Sequence, residues 1–466
     1  MTSQIPVKIL TYNTFLRDQA PGLGMQNGER ARLIANLIAR SDYDVVVFQE
    51  AFDDGPRNEI IQILRNQGNF QYRTWVVGFS DEFDLFSNSV GSTIATIVAL
   101  PFTLGIGIGT GNLPKSDGGI FIMSRWPIVY QGQIVYRDAV KMWEDERAKK
   151  GVSWALINKQ GLYFNVFGTH TQAGGPPASV RPWGSPDPVA ARRKQLAELR
   201  GMIDKVGLYW QPALIAGDLN VDYCFEADRL RNLCTTAERD EMFRQLNAAP
   251  PQDRARYVYT SDPANELKPD GDKPTTLDYV LVSNTHRAPV HSSLATVKLQ
   301  NRWTALIGRP QVTQERLDLS DHYGVAASFT FAQKREDSLR FTGEWKGVLL
   351  NGGPDNASRL MFAPFGMSIT GNIGGQPLNG RIRELYPDAD GNKGKVVFET
   401  PRGREQYDYS FNKNRSYEQY FIPGERLFER RPPPLNELVL RGQGRTVALA
   451  FEGRLPIEAP DIPDRP

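Results

Sequence analysis

The sequence predicts a two-sheet α/β sandwich with helices on its outer faces, followed by a separate all-β module. Three observations lead there. Apolar runs that read as strands, at residues 7–12, 45–49, 163–168 and 213–216, repeatedly end in Asp, Asn, Glu or His. Two β–α–β passages flank strand-rich stretches. After the charged break Gln333-Lys334-Arg335-Glu336-Asp337, helical periodicity disappears.

The first strand, 7–12, leads into a helix in which Arg30, Ala31, Leu33, Ile34, Leu37 and Ile38 set apolar residues at i, i+3, i+4 and i+7. Ser41-Asp42-Tyr43-Asp44 stops it, and the apolar strand 45–48 delivers Gln49-Glu50. A second helix over 58–66 turns Ile60, Ile61 and Leu64 inward. Strands are expected at 120–123, 128–136, 152–158 and 162–168. A long helix, 188–206, carries Arg192, Arg193 and Lys194 on its wet face. The strand 213–216, a helical stretch 226–247 and strands at 277–282 and 325–330 complete a domain spanning 1–335. Short strands at 341–347, 359–362, 366–371, 395–400, 437–440 and 446–451, between Gly, Pro and Asn turns, make 338–455 a small barrel or sandwich. The tail 456–466, with four prolines, reads as extended.

At 466 residues, two domains are the natural expectation. Basic and acidic residues balance through residue 337, with 37 of each, and nearly balance beyond it, with 18 and 16. Neither part has the net charge of a strong nucleic-acid binder, although a local basic patch would escape this count. Two cysteines, Cys224 and Cys234, are too sparse for a disulfide scaffold; free thiols are expected, with a single bridge as the alternative. The N-terminus runs straight into a strand without a basic, then apolar, leader, which suits a cytoplasmic chain or a secreted one whose leader has been removed. The segment from Ser92 to Gly111 is nearly uncharged and long enough for a membrane span, but it holds several glycines and Pro101. It reads first as a buried hairpin or packed loop. Peripheral contact with a lipid surface is the functional alternative.

The polar strand ends carry the chemistry. Glu50 offers a carboxylate and Asn13 an amide oxygen, both hard ligands suited to Mg²⁺. Asp218 and Asn220 lie two apart at a strand end and so point to one side, where one orients water or metal and the other holds a phosphate oxygen. Asp321 is a further candidate for the metal cluster. Of four histidines, His170 and His322 lie in strand-end motifs, whereas His286 and His291 fall in a polar loop and are expected at the surface. An imidazole is the natural general base for water near neutral pH. His322 is assigned that task, Asp278 orients it, and His170 steadies charge on phosphate or protonates the leaving alkoxide.

Asn13, Gln49-Glu50, Gly217-Asp218-Leu219-Asn220, Leu277-Asp278-Tyr279 and Ser320-Asp321-His322 together resemble the endonuclease/exonuclease/phosphatase superfamily, typified by DNase I and apurinic endonucleases. The resemblance spans about residues 6–331. It implies a DNase I-like four-layer α/β sandwich and divalent-metal phosphoester hydrolysis, with Mg²⁺ or another ion such as Mn²⁺ or Co²⁺. Finer features resemble neutral, bacterial-type sphingomyelinase C: Tyr12-Asn13-Thr14-Phe15-Leu16, Gln49-Glu50-Ala51-Phe52-Asp53, Gly118-Gly119, Ser124-Arg125-Trp126-Pro127-Ile128 and Thr169-His170-Thr171-Gln172-Ala173. Asp145, five residues before Lys150-Gly151, resembles an Asp/Lys pair that sphingomyelinases place near the active site, which makes Asp145 and Lys150 candidates for substrate binding. The resemblance implies a phosphodiesterase acting on a phospholipid at a membrane surface; the near-neutral charge and the Asp145/Lys150 pair argue against a nucleic-acid partner. A nuclease or phosphoinositide phosphatase on the same scaffold is the alternative enzyme, and a non-enzymatic lipid- or partner-binding protein the other class.

Overall fold

The computed structural model describes residues 4–17, 25–78, 117–140, 148–174, 187–268, 272–307, 312–333, 338, 341–349, 357–363, 366, 368–389, 392–412 and 437–453. They form two compact units, one ending at residue 333 and the other beginning at 338.

The first unit holds two large sheets. One orders its strands Asp253–Arg256, His291–Val297, Gly324–Ala332, Gln4–Leu16, Val45–Ala51, Phe121–Ser124, Tyr72–Arg73. The other runs Ile128–Val135, Gly151–Lys159, Leu162–His170, Ala213–Asp218, Asp278–Ser283, Ala248–Ala249. Side chains alternate across each strand. Ile5, Val7 and Ile9 turn into the space between the sheets, with Val45, Val47, Phe164, Val166, Leu214, Ala216 and Val280. Leu10 and Tyr12 turn outward onto Ile34, Ile38, Ile60 and Leu64 of the helices Asn27–Ala39 and Asp54–Gly68. Helix Pro188–Val206 buries Leu196, Leu199, Met202 and Ile203, with Met202 beside Gly132 and Trp154 of the second sheet. Helix, sheet, sheet, helix: the four layers are those the resemblance implies. Because both sheets are covered on both faces, their central strands read as unbroken apolar runs.

Among its described residues, the second unit is one antiparallel sheet of nine strands that curls on itself. Gly343–Leu349 pairs with Ala357–Phe362 on one side and Arg445–Gly453 on the other, and a bridge between Ile369 and Gly380 links the two ends of the sheet. Phe341, Trp345, Phe362, Phe398, Tyr407, Tyr409, Phe411 and Phe451 fill its interior with ring centroids 5.0–6.0 Å apart. This is a packed aromatic core, as expected of a small barrel.

Four expectations need correction. The stretch 226–247 is two helices, Glu226–Leu230 and Ala237–Leu246. Between them Cys234 bonds to Cys224, so the cysteines are a disulfide and not free thiols; their Cα atoms lie 5.7 Å apart. Arg192 is not on the wet face of its helix. It is buried, with Nε donating to Glu238 Oε1 at 2.7 Å and Nη1 to Gln172 O at 3.1 Å, a tie from helix to helix and from helix to loop that helical periodicity cannot foresee. His286 is buried as well, its Nδ1 2.9 Å from Ser283 Oγ, whereas His291 is exposed. The segment from Ser92 to Gly111 lies outside the described residues. Among those described, no helix is long and apolar enough to cross a membrane.

Two stability predictions follow from these corrections. Replacing Cys224 and Cys234 with serine is expected to lower stability by roughly 2–3 kcal/mol, the value for a loop this short, as read by urea unfolding. Burial first, and then the Arg200 guanidinium, push His286 down to about 4. The folded protein therefore resists protonating it while the unfolded chain does not. The stability His286 contributes is complete above the unfolded value of about 6.5 and is lost as pH falls toward 4. Urea midpoints measured at pH 7 and pH 5 should accordingly fall less for His286→Gln than for the parent. Parallel falls would contradict the assignment, and the difference between the two proteins removes other titrations from the comparison.

Candidate active site

Strand register builds the site. His170 ends its strand directly beside Asp218, and Asp218 ends its own strand directly opposite Asp278. These three side chains form one rung across three neighbouring strands of the second sheet. Gly217 permits the close approach: its φ is +156°, and a Cβ there would sit 1.9 Å from Thr169 O. The other sheet supplies Asn13, Glu50 and His322 from the ends of Gln4–Leu16 and Val45–Ala51 and the turn before Gly324–Ala332.

The strand carrying Asn13 is bulged where it leaves its partner. Asn13 pairs with Gln49, but the next pairing is Leu16 with Ala51. Phe15 at φ +51° and Glu50 at φ +53° both adopt the left-handed conformation, which costs roughly 1–3 kcal/mol each and re-aims the side chains around them. Arg30, fully buried, holds the distortion together. It donates to Thr14 O (3.2 Å), Phe15 O (2.7 Å) and Leu319 O (2.8 Å), which ties the bulge to the turn that presents His322. Ser320 Oγ donates to Asn13 O at 2.6 Å, and Asn265 Nδ2 to Ser320 O at 2.8 Å.

Asp218 is the hub. Its Oδ2 accepts from Asn13 Nδ2 at 3.1 Å and lies 3.5 Å from His170 Nε2 and 3.9 Å from His322 Nδ1, while its Oδ1 accepts from the Asn220 N–H at 2.9 Å. Asn220 donates its side-chain amide to Thr171 O at 3.0 Å. His322 Nδ1 faces Asp278 Oδ2 at 2.8 Å, and Asp278 is held in turn by Tyr257, whose hydroxyl donates to its carbonyl at 2.7 Å. Burial and the neighbouring Asp278 push Asp218 up to about 7. Burial alone would lower His322, but Asp278, Asp321 and Asp218 outweigh it and hold the imidazole up at about 9. At Glu50, burial is outweighed by Arg17, with His170 and Lys150 behind it, so its carboxyl lies well below the usual carboxylate range.

Of the ten candidate residues, seven converge here: Asn13, Glu50, His170, Asp218, Asn220, Asp278 and His322. Lys150 joins them. It is buried, with Nζ 3.0 Å from His170 Nε2 and donating to Thr171 O at 2.9 Å. Asp145 lies outside the described residues. The Asp321 carboxylate accepts from Lys268 Nζ at 3.2 Å and from Ser320 Oγ at 3.5 Å, and its charge helps to hold the His322 imidazole up. Sequence reasoning missed Arg17, whose Nε and Nη2 grip Glu50 Oε2 and Oε1 at 2.5 and 2.6 Å. It also gave Arg30 no part in the site, placing it only along the inward stripe of its helix.

The donors suit a hard divalent cation. Glu50, Asp218 and Asp278 are buried carboxylates in one small site, and Asp278 Oδ1 is buried with no hydrogen-bond partner among the described residues. Asp218, Asp278 and His322 can bring ligand atoms within 4.8 Å of one another. That corner is already closed by the His322–Asp278 hydrogen bond and includes an imidazole, whereas Glu50 and Asn13 offer oxygens, which Mg²⁺ prefers.

The sequence pattern of the Endonuclease/Exonuclease/phosphatase family matches residues 10–322. The chain belongs to the endonuclease/exonuclease/phosphatase family. Within that family it is similar to Sphingomyelinase C of Listeria ivanovii, 28% identical over 331 residues that cover 68% of this chain and 84% of the relative. Sphingomyelinase C 2 of Leptospira interrogans is 26% identical over 413 residues, covering 82% of this chain and 58% of the relative, a match long enough to enter the C-terminal module. The crystal structure of sphingomyelinase C from Streptomyces griseocarneus superposes with a TM-score of 0.54 at 28% identity, over 70% of this chain and 99% of that one. This member of the family is a phosphodiester hydrolase.

Proposed function

We propose that this chain is a divalent-metal-dependent phosphodiesterase that hydrolyses sphingomyelin, or a closely related choline phospholipid, to ceramide and phosphocholine. The observation that carries the reading is the His322–Asp278 pair at 2.8 Å, set beside the His170–Asp218 rung in a chain similar to sphingomyelinases C. With Nδ1 bound to Asp278, His322 keeps Nε2 to accept the proton of a water that attacks phosphorus. Asp218 orients that water. His170 and Asn220 hold phosphoryl oxygens, and Lys150 keeps positive charge behind His170. Glu50 and Asn13 would hold Mg²⁺ or a similar ion. The chemistry such an ion supplies when bound is Lewis-acid stabilisation of charge on the phosphoryl and leaving oxygens.

The balanced charge of the chain favours a lipid over a nucleic acid, whose binding rests on many phosphate contacts. A substrate panel tests the reading. Sphingomyelin, phosphatidylcholine, phosphoinositide and plasmid DNA would each be offered with Mg²⁺ and with chelator. Release of phosphocholine from sphingomyelin, abolished by chelator, is expected. Preferential cleavage of DNA or of a phosphoinositide would overturn the substrate assignment.

A further inference from the structure

The cation now seated on Glu50 belongs to the protein. Arg17 approaches from the solvent side, its side chain 35% exposed against 5% for Glu50, and closes a two-pronged ion pair over both carboxylate oxygens. Its backbone is anchored separately, since Asn27 Nδ2 donates to Arg17 O at 2.8 Å. The guanidinium also lies 5.2 Å from the centre of the Phe15 ring, an alternative surface for a displaced cation. The side chain can therefore leave Glu50 without unpinning the strand that carries Asn13.

We propose that Arg17 is a built-in competitor for the divalent cation: it neutralises Glu50 in the metal-free protein and must release it before metal binds, so it sets the metal affinity of the site. The inference rests on the assignment of Glu50 as a metal ligand. Its physical basis is the cost of a buried carboxylate without a counter-charge. Without metal, Arg17 meets that need. A divalent cation at Glu50 meets it better, but a guanidinium left in the same place would then sit against two positive charges a few ångströms away. Displacing Arg17 takes back part of the binding free energy. Because Arg17 is partly exposed, its hold is weaker than that of a fully buried partner, and exchange is feasible.

The test is Mn²⁺ binding to the full chain, followed by calorimetry or by the EPR signal of free Mn²⁺, with no substrate present. Arg17→Gln should bind Mn²⁺ roughly tenfold more tightly, or better, than the parent. Its melting temperature should be lower without metal, and the rise on adding saturating Mn²⁺ should be larger. Unchanged or weaker affinity would overturn the proposal and make Arg17 a residue that orients Glu50. If Arg17→Gln fails to fold, Arg17→Lys serves instead: an ammonium lacks the fork, so it should bind Mn²⁺ more tightly than the parent by a smaller factor, and no gain would again overturn the proposal. Glu50→Gln, titrated in parallel, separates the two levels. Parent-like Mn²⁺ binding in that variant would sink the assignment of Glu50 as a ligand, whatever Arg17 does.

Discussion

His322→Ala is expected to lower turnover by about 10²–10⁴-fold, the usual cost of removing a general base, in a protein that still folds. His322 lies in the turn before a strand and bonds to Ser320 Oγ and Asp278 Oδ2, so its loss removes polar contacts and not a core side chain. It does strip Asp278 Oδ2 of its partner at 2.8 Å, and a moderate fall in melting temperature should accompany the loss of activity. The pair is expected to act as a unit, so His322→Ala combined with Asp278→Asn should be little worse than His322→Ala alone. Asp278→Asn gives a second readout. Only the neutral imidazole can take a proton, so kcat/KM rises with pH as His322 titrates. Asp278 is one of the groups that hold His322 up, so removing its charge should move this acid limb to lower pH while the maximum falls. Near-normal turnover in His322→Ala would remove it from the mechanism, and an acid limb unmoved in Asp278→Asn would remove the orienting role.

Glu50→Gln should be comparably severe for a different reason. The substitution keeps size and loses the charge that a hard cation requires. It also leaves Arg17 without its carboxylate partner. Activity should collapse at ordinary Mg²⁺ and recover only in part at high Mg²⁺, through a raised metal requirement. A parent protein fully active in chelator would contradict the metal assignment altogether.

The parts of this molecule legible in the sequence are those where one face of an element decides its identity. The strands Val45–Ala51 and Ala213–Asp218 open as apolar runs because both sheets are covered, and Gln49, Glu50 and Asp218 stand out near their ends for that reason. The helix Pro188–Val206 was legible to its ends, with Asp187 accepting from Val189 N as its cap. Less could be read where polar residues do structural work. Strands such as Arg381–Pro387 and Gly403–Asn412 alternate apolar with charged residues and bury only Ile382, or Tyr407, Tyr409 and Phe411. The helix expected over 226–247 is interrupted between Leu230 and Ala237, where Cys234 bonds back to Cys224, and whether two cysteines pair cannot be read from their spacing. At the site, strand-end carboxylates and histidines announced themselves, while Arg17 and Arg30 did not. Their roles depend on carbonyls and a carboxylate that only the bulge at Asn13 brings within reach.

The most direct test of the account is where the oxygen of water goes. Sphingomyelin turned over in ¹⁸O-labelled water with Mg²⁺ should yield phosphocholine carrying one solvent oxygen and unlabelled ceramide, with neither product formed in chelator. Label in ceramide, or undiminished turnover without metal, would contradict attack of a His322-activated water on phosphorus.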